Sequence, residues 1–285
     1  MSGSFSCRVL YYTVLLLFDK YHASQHEPMN IRSFFLARHN SNEIPVHLRQ
    51  EGQQTLSLVD LELIEQSLQL DETTLLQRIL STAEQTYFQR FKYIKRKKEW
   101  LGGRIAAKAA ILASPHAADL DLRSITILPN KHGRPIAEGF PADLSARGIR
   151  PTISLSHSDA FAVALAREGS SCGIDLQEIS TKLAGLTSHF ATDAELQLLA
   201  QQAGCDEDTR LTMLWTVKEA LKKALLHDQS VIFSATELRE ITLVNDSVRR
   251  FTCTVQGQTQ SVLVHPLPPY ILSITEENSG ERDHA

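Results

Sequence analysis

Residues 152–177 read TISLSHSDAFAVALAREGSSCGIDLQ and contain three short apolar segments separated by polar turn residues. The segments 152–156, 161–166 and 172–177 have the length and the branched aliphatic content of strands, and the Ser-Asp-Ala and Gly-Ser-Ser triplets between them are typical of turns. The stretch therefore predicts three consecutive strands with short connections.

Long helical segments and further strands flank this stretch. Apolar residues recur at helical spacing after Asp71, which is placed to cap a helix, and other helices are predicted over 95–112, 193–202 and 209–226. Strands are predicted over 31–37, 56–64, 124–128, 240–244, 250–255, 260–264 and 270–275, and a Gly- and Pro-rich loop over 131–141. Groups of strands beside long helices predict an α+β fold.

The composition of the 285-residue chain is that of a globular protein, with 42% hydrophobic and 22% charged residues. The formal net charge of −4 argues against a polybasic nucleic-acid binder. Four scattered cysteines, Cys7, Cys172, Cys205 and Cys253, form no CxxC pair, so neither a zinc site nor a disulfide framework is expected. We expect a reducing, cytoplasmic location.

The N-terminus contains an apolar run, residues 9–18, that is too short to span a bilayer. The segment that follows it, Lys20-Tyr21-His22-Ala23, is a poor cleavage site for a secretory signal. A buried strand, an upstream extension and a signal peptide remain alternatives for this run, of which the signal peptide is the least favoured. No membrane partner is expected.

A basic segment opens the second predicted helix. Residues 90–98 read RFKYIKRKK, with six basic residues in nine. Arg96 and Arg104 are eight residues apart, so a helix places them on about one face, from which both could reach one polyanion. Gly102 and Gly103 are unfavourable in a helix and suggest that another group approaches the backbone there. A solvated basic face is the alternative interpretation.

Two loop segments carry further candidate residues. A glycine loop with basic side chains, residues 130–135 (NKHGRP), could hold a phosphate or be an ordinary turn. His157 follows a predicted strand, where it could donate to a phosphate, act as a base, or be a structural histidine.

Candidate metal ligands lie on a strand and on a helix. Asp175 and Gln177 are two residues apart and share one face of a strand, and a carboxylate with an amide oxygen suits Mg²⁺. Polar residues at a strand end are the alternative. Trp215, Glu219 and Lys223 are spaced by four and line one helix face, which is also typical of an amphipathic surface helix.

In this order and spacing, KRKKEWLGGR, KHGRP, ISLSHS, GIDLQ and WTVKEALKK resemble the 4′-phosphopantetheinyl transferases of the Sfp type. The resemblance covers residues 29–276. It implies two similar α+β halves related by pseudo-twofold symmetry, each an antiparallel sheet packed with helices. The implied organisation is an N-terminal extension of unclear role (1–28), a half with a CoA-binding basic helix (29–148), a half with metal and catalytic motifs (149–278) and a flexible tail (279–285).

The resemblance also implies a reaction, in which the 4′-phosphopantetheine arm of coenzyme A moves to a serine of an apo acyl, peptidyl or aryl carrier protein and 3′,5′-ADP leaves. The implied catalytic residues are Asp175, Glu219 and Lys223, and the implied ligands of Mg²⁺ or Mn²⁺ are Asp175, Gln177 and Glu219. Coenzyme A contacts are implied for Arg96, Arg104, His132, Gly133, Arg134, Pro135, Ser156, His157, Asp175 and Lys223. Gln177 is a departure, because many members of the family have a carboxylate there. The chain is expected to be a monomer.

Two other functions remain open at this stage. A non-catalytic CoA-binding or scaffold protein is favoured by Gln177 and opposed by Asp175, Glu219 and Lys223. A secreted or membrane-tethered hydrolase would use His157 and Ser156, but the sequence has no nucleophile-elbow motif. The sequence identifies neither the carrier protein nor its pathway, whether fatty acid, polyketide, nonribosomal peptide or lysine.

Overall fold

The computed structural model describes residues 46–277 apart from 52, 115, 118, 143, 145–149, 203 and 227–234. The strand predicted over 31–37 and the apolar run at 9–18 lie outside the described residues. No helix within that described range combines the length and the apolar character that a bilayer crossing requires. Cys172, Cys205 and Cys253 are free thiols, and Cys7 lies outside the described residues.

The chain forms two groups of elements, one before and one after residue 170. The first comprises β1 (Val46–Glu51), β2 (Gln54–Asp60), α1 (Leu61–Ile79), α2 (Thr82–Phe88), α3 (Ile94–Leu112), β3 (Thr126–Pro129), β4 (Pro135–Glu138), β5 (Thr152–His157) and β6 (Phe161–Arg167). The second comprises β7 (Ile174–Glu178), a 3₁₀ helix (Thr181–Leu186), α4 (Thr187–Phe190), α5 (Asp193–Ala200), α6 (Glu207–Leu225), β8 (Thr236–Leu243), β9 (Arg249–Val255), β10 (Gln258–Leu267) and β11 (Tyr270–Thr275).

Each group builds one lobe around an antiparallel sheet, which confirms the α+β prediction. The first lobe has the strand order β1-β2-β6-β5, with the 19-residue helix α3 packed on β2 and β6. The second has the order β7-β11-β10-β9-β8, with the 19-residue helix α6 packed on β7 and β11. Strands β3 and β4 form a separate hairpin beside β5. The two lobes thus repeat one arrangement, as expected for pseudo-twofold symmetry.

The same buried ion pair occurs in both lobes. In the first, Glu84 belongs to the capping box of α2, accepts from Lys108 on α3 at 2.6 Å and accepts from the backbone N–H of Ile127 on β3 at 2.9 Å. In the second, Glu195 belongs to the capping box of α5, accepts from Lys218 on α6 at 2.9 Å and from the N–H of Leu238 on β8 at 2.9 Å. Each glutamate therefore ties a short helix, a long helix and a strand together.

The lobes meet along an apolar layer between their sheets. Buried residues of β2 and β6 pack there against residues of β7 and β11, among them Leu58, Val163, Ile174 and Leu272. Arg167, at the end of β6, is 2% exposed; it donates to the carbonyl of Ser171 at 2.8 Å and also to the carbonyl of Thr275 on β11. A buried guanidinium with carbonyl partners from the other lobe fixes the lobes relative to each other.

Three elements differ from their predictions. The strand predicted over 56–64 ends at Asp60, because that side chain accepts from the N–H of Glu62 at 2.8 Å and caps helix α1. Asp71 lies at a kink inside α1, where it accepts from the N–H of Thr74 and caps only the second segment. Part of the predicted loop over 131–141 forms β4.

The boundary predicted between residues 148 and 149 lies within the part of the chain that builds the first sheet. Strands β5 and β6 follow that boundary, yet β6 pairs with β2 of the preceding segment from Gln54↔Arg167 to Asp60↔Phe161. The first lobe therefore takes two of its four strands from beyond residue 149, and a division into domains at this point stays a proposal.

Protonation of His265 is expected to weaken the fold in mild acid. This β10 residue is 5% exposed and lies opposite Leu272, and burial lowers its pKa from 6.5 to about 4. A histidine with a lowered folded pKa binds protons more readily when unfolded, so stability is lost as the pH falls from 6.5 towards 4. We expect the free energy of unfolding of the wild type, relative to that of His265→Leu, to fall by about 2–3 kcal/mol between pH 7 and 4.5.

Urea denaturation at each pH measures this difference. The exposed His189 provides the control, because His189→Gln is expected to keep the pH dependence of the wild type. A constant difference between wild type and His265→Leu across this pH range would contradict the prediction.

Candidate active site

Serine side chains join the two lobes where β5 lies beside β7. Ser154 Oγ accepts from the backbone N–H of Ile174 at 3.1 Å, and Ser156 Oγ donates to Asp175 Oδ1 at 2.8 Å. These two serines are two residues apart on β5, so both face the same side of the strand. The two serines of the ISLSHS motif therefore fix the position of Asp175, and the Ser156 hydroxyl is the group that binds its carboxylate.

Gly173 allows helix α6 to approach the start of β7. A Cβ atom at this position would lie 1.9 Å from the carbonyl oxygen of Ala220, so a side chain would force the helix away. The close approach brings Lys223 to the strand, where its Nζ donates to Asp175 Oδ1 at 2.6 Å and to the carbonyl of Ile174 at 3.1 Å. The packing of α6 on β7 therefore requires glycine at position 173, two residues before Asp175.

Glu219 lies one helical turn before Lys223 on α6, on the face that the spacing of four predicted. Its side chain is 16% exposed and accepts from Lys222 at 3.3 Å. Trp215, a further turn back, packs edge-to-face on Phe190 at 5.4 Å between ring centroids and belongs to the core of the second lobe. The helix therefore divides its predicted face between a core residue and two charged residues, of which Lys223 contacts β7.

Oxygen donors on β7 are of the kind that suits a hard divalent cation. Among the described residues, both hydrogen-bond partners of Asp175 contact Oδ1, so Oδ2 is available to another ligand. Gln177 donates through Nε2 to the carbonyl of Glu178 at 3.3 Å, so its amide oxygen is not used in that bond. Two carboxylates and an amide oxygen suit Mg²⁺ that keeps several water ligands. Within the described ranges, no cluster of three or more His, Cys, Asp or Glu side chains suits a metal.

A cleft of about 670 Å³ opens beside these residues, between the start of α3 and the ends of β5 and β7. It is lined by Tyr93, Lys95, Arg96, Glu99, His157, Ser158, Asp159, Gln177 and Glu178. The cleft brings three of the predicted residues together, namely Arg96, His157 and Gln177.

Opposite charges are paired inside the cleft. The buried Glu99 lies 3.0 Å from Arg96 and 4.0 Å from Nδ1 of His157, and Lys95 lies 3.1 Å from Asp159. Burial lowers the pKa of His157; Glu99 opposes this effect, and the positive charge of Lys223 adds to it. The imidazole of His157 therefore lies close enough to both lobes for charged groups of each to affect its pKa.

The basic segment of residues 90–98 divides between two surfaces. Lys97 lies 2.8 Å from Glu72 and Lys98 lies 2.5 Å from Glu65, so both are engaged with carboxylates of helix α1. Lys95 and Arg96 instead project into the cleft. The packing of α3 on α1 decides which of these basic residues reach the cleft. This packing cannot be predicted from the sequence alone.

Arg104 and the glycine loop of residues 130–135 are not among the residues that line this cleft. Arg104 is buried, donates through Nε to the carbonyl of Ile127 on β3 at 3.2 Å and lies over the ring of Trp100. Burial lowers its pKa to about 10.

In the loop between β3 and β4, the N–H groups of His132 and Arg134 donate to Asn130 Oδ1 at 2.9 and 3.0 Å, and Gly133 has a positive φ of 84°. Pro135 begins β4. Roles for Arg104 and this loop in binding coenzyme A stay predictions.

Glycines 102 and 103 predict that another group approaches the backbone of helix α3. The structure confirms this at Gly102, where Cδ2 of Leu61 would lie 2.4 Å from an added Cβ. Glu99 was missed, although an acidic residue three positions after Arg96 and four after Lys95 is a recognisable helical ion-pair signal.

Comparison with known proteins gives a family match in the second lobe. The model of the 4′-phosphopantetheinyl transferase superfamily, ACPS, matches residues 171–275, which extend from just before β7 to the end of β11. No curated protein matches the sequence significantly.

Two solved structures resemble part of the chain. A holo-(acyl-carrier-protein) synthase from Bacillus anthracis in complex with CoA (3′,5′-ADP) is 25% identical, covers 41% of this chain and 96% of its own, and has a TM-score of 0.36. A holo-[acyl-carrier-protein] synthase from Helicobacter pylori in complex with coenzyme A is 20% identical, covers 41% and 99% of the two chains, and has a TM-score of 0.35. The segment that matches the superfamily model, residues 171–275, contains Asp175, Glu219 and Lys223.

Proposed function

We propose that this protein transfers the 4′-phosphopantetheine arm of coenzyme A to a serine of an apo carrier protein and releases 3′,5′-ADP. The observation that carries the proposal is the contact of Lys223 with Asp175 within the superfamily-matched segment, beside a cleft that presents Arg96 and His157. A carboxylate and several cations around one cleft suit a ligand with a diphosphate.

Asp175 and Glu219, with Gln177, would hold a magnesium ion. When bound, such an ion supplies positive charge that offsets the charge developing on the diphosphate oxygens. An amide at position 177 provides a weaker ligand than a carboxylate, so Mn²⁺ is a reasonable substitute for Mg²⁺ in binding experiments.

Side chains of this protein bind coenzyme A and accept the proton of the carrier serine. Arg96, His157 and Lys223 bind and orient the phosphates of coenzyme A, which places the diphosphate against the second lobe. The serine oxygen of the carrier protein forms a bond to the phosphorus that bears pantetheine, the bond from that phosphorus to 3′,5′-ADP breaks, and the serine proton passes to Glu219, directly or through a water.

Mass spectrometry of an apo carrier protein incubated with this chain, coenzyme A and Mg²⁺ tests the proposal. The expected result is a mass gain of one phosphopantetheine arm on each carrier molecule. The alternative, a non-catalytic CoA-binding or scaffold protein, is favoured only by Gln177; it predicts that coenzyme A binds and that the carrier mass is unchanged across acyl, peptidyl and aryl carrier proteins.

Arg96 is expected to contribute more to the binding of coenzyme A than its neighbour Lys97 does. Arg96 projects into the cleft, whereas Lys97 is paired with Glu72 on α1. Loss of one charge-assisted hydrogen bond to a phosphate corresponds to about a tenfold weaker affinity. Isothermal titration of coenzyme A should therefore give a dissociation constant about ten times larger for Arg96→Ala and within about twofold of the wild type for Lys97→Ala. Equal effects of the two substitutions would contradict this assignment.

The finer properties of the protein remain proposals. These are membership of the Sfp type, a cytoplasmic location, a monomeric state and the identity of the carrier protein. The basic residues that remain exposed near the cleft, Lys92 and Lys95, are suited to an acidic carrier protein because complementary charge accelerates encounter.

A further inference from the structure

Lys223 binds one oxygen of the carboxylate that the proposed cation needs. Its Nζ is 2.6 Å from Asp175 Oδ1, and Ser156 donates to the same oxygen. Asp175 is 8% exposed, so water screens this ion pair little. A divalent cation bound at Asp175 would lie next to the ammonium group, and the two positive charges would repel each other.

Lys223 also lies where it could contact a diphosphate bound in the cleft. Its side chain is 26% exposed and extends from α6 across the start of β7, next to the cleft that would receive the diphosphate. Lysine is a flexible point charge, so a short movement of its end exchanges a carboxylate for a phosphate oxygen.

We propose that Lys223 competes with the divalent cation for Asp175 until coenzyme A binds, and that the diphosphate of coenzyme A removes Lys223 from this carboxylate. The inference rests on the proposed function for the identity of the diphosphate. Because linkage is reciprocal, the cation raises the affinity for coenzyme A by the same factor by which coenzyme A raises the affinity for the cation. Lys223 thus makes the binding of cation and coenzyme A cooperative.

Titration with Mn²⁺ alone, followed by electron paramagnetic resonance of the free ion, tests the competition without any turnover. Lys223→Ala removes the ammonium group, so we expect it to bind Mn²⁺ about tenfold more tightly than the wild type, the equivalent of one charge-assisted bond. Lys95→Ala provides the matched control, because it removes one positive charge from the same cleft and Lys95 is paired with Asp159. Its affinity for Mn²⁺ should remain within about threefold of the wild type.

Repetition of the titration with saturating coenzyme A tests the coupling. Coenzyme A should increase the affinity for Mn²⁺ about tenfold more in the wild type than in Lys223→Ala, since only the wild type has a competitor to displace. Lys223→Arg keeps the charge and should retain weak binding of Mn²⁺ in the absence of coenzyme A.

Two results would overturn the inference. One is an affinity of Lys223→Ala for Mn²⁺ alone that equals or falls below that of the wild type; the other is an equal effect of coenzyme A on both proteins. Failure of the proposed function gives a different pattern, in which Lys223→Ala binds Mn²⁺ more tightly as expected and the wild type adds no mass to any carrier protein.

Discussion

Replacement of Glu219 by glutamine is expected to lower the rate of phosphopantetheine transfer by about a thousandfold or more, with the dissociation constant of coenzyme A changed by less than about threefold. Glutamine has nearly the same shape as glutamate, so the helix α6 and its contacts with β7 should persist. The amide, however, does not accept the serine proton at neutral pH and is a weaker ligand for a divalent cation. The rate is measured from the mass of the carrier protein with time, and the affinity by titration of coenzyme A without divalent cations.

Glu207→Gln is the matched control for this substitution. Glu207 is an exposed residue in the first turn of the same helix, so the chemical change is identical but distant from Asp175 and Lys223. Its transfer rate should equal that of the wild type. If Glu219→Gln reduced the affinity for coenzyme A as much as it reduced the rate, Glu219 would belong to the binding of the cofactor, and another group would have to accept the proton.

Local sequence patterns predicted the parts of the site that depend on a single element. The separation of two residues in GIDLQ placed Asp175 and Gln177 on one face of a strand, and the spacing of four placed Glu219 and Lys223 on one face of a helix. The helix predicted over 95–112 forms as Ile94–Leu112. Such patterns are reliable because the periods of helix and strand are fixed by the backbone.

Contacts between distant segments were not predictable in the same way. The bonds from Ser154 and Ser156 to β7 require β5 and β7 to lie side by side, and the sequence does not state that they are the edges of two different sheets. Likewise, residues 56–64 alternate between apolar and other residues from strand β2 into helix α1, and only the cap at Asp60 separates the two elements. Tertiary arrangement, rather than local preference, decides these features.

The repeated glutamate and lysine pair explains how two lobes of different sequence keep the same arrangement. In each lobe, the backbone N–H that the glutamate binds lies 43 residues further along the chain, on the strand after the long helix. In the first lobe both side chains are completely buried, and Lys108 also donates to the carbonyl groups of Ile79 and Leu122. A buried pair with every hydrogen bond satisfied fixes the packing of three elements, although the pair itself adds little net stability.

Removal of one partner of that pair is therefore expected to destabilise the first lobe strongly. Lys108→Met leaves the carboxylate of Glu84 buried without its counter-charge, and we expect the free energy of unfolding in urea to fall by about 3–5 kcal/mol. Lys97→Met, on the same helix, removes a lysine whose partner Glu72 is partly exposed, so a loss of less than about 1 kcal/mol is expected. The double variant Glu84→Gln/Lys108→Met should recover part of the loss, since it buries no unpaired charge; a loss equal to the sum of the two single substitutions would show that the pair does not act as a unit.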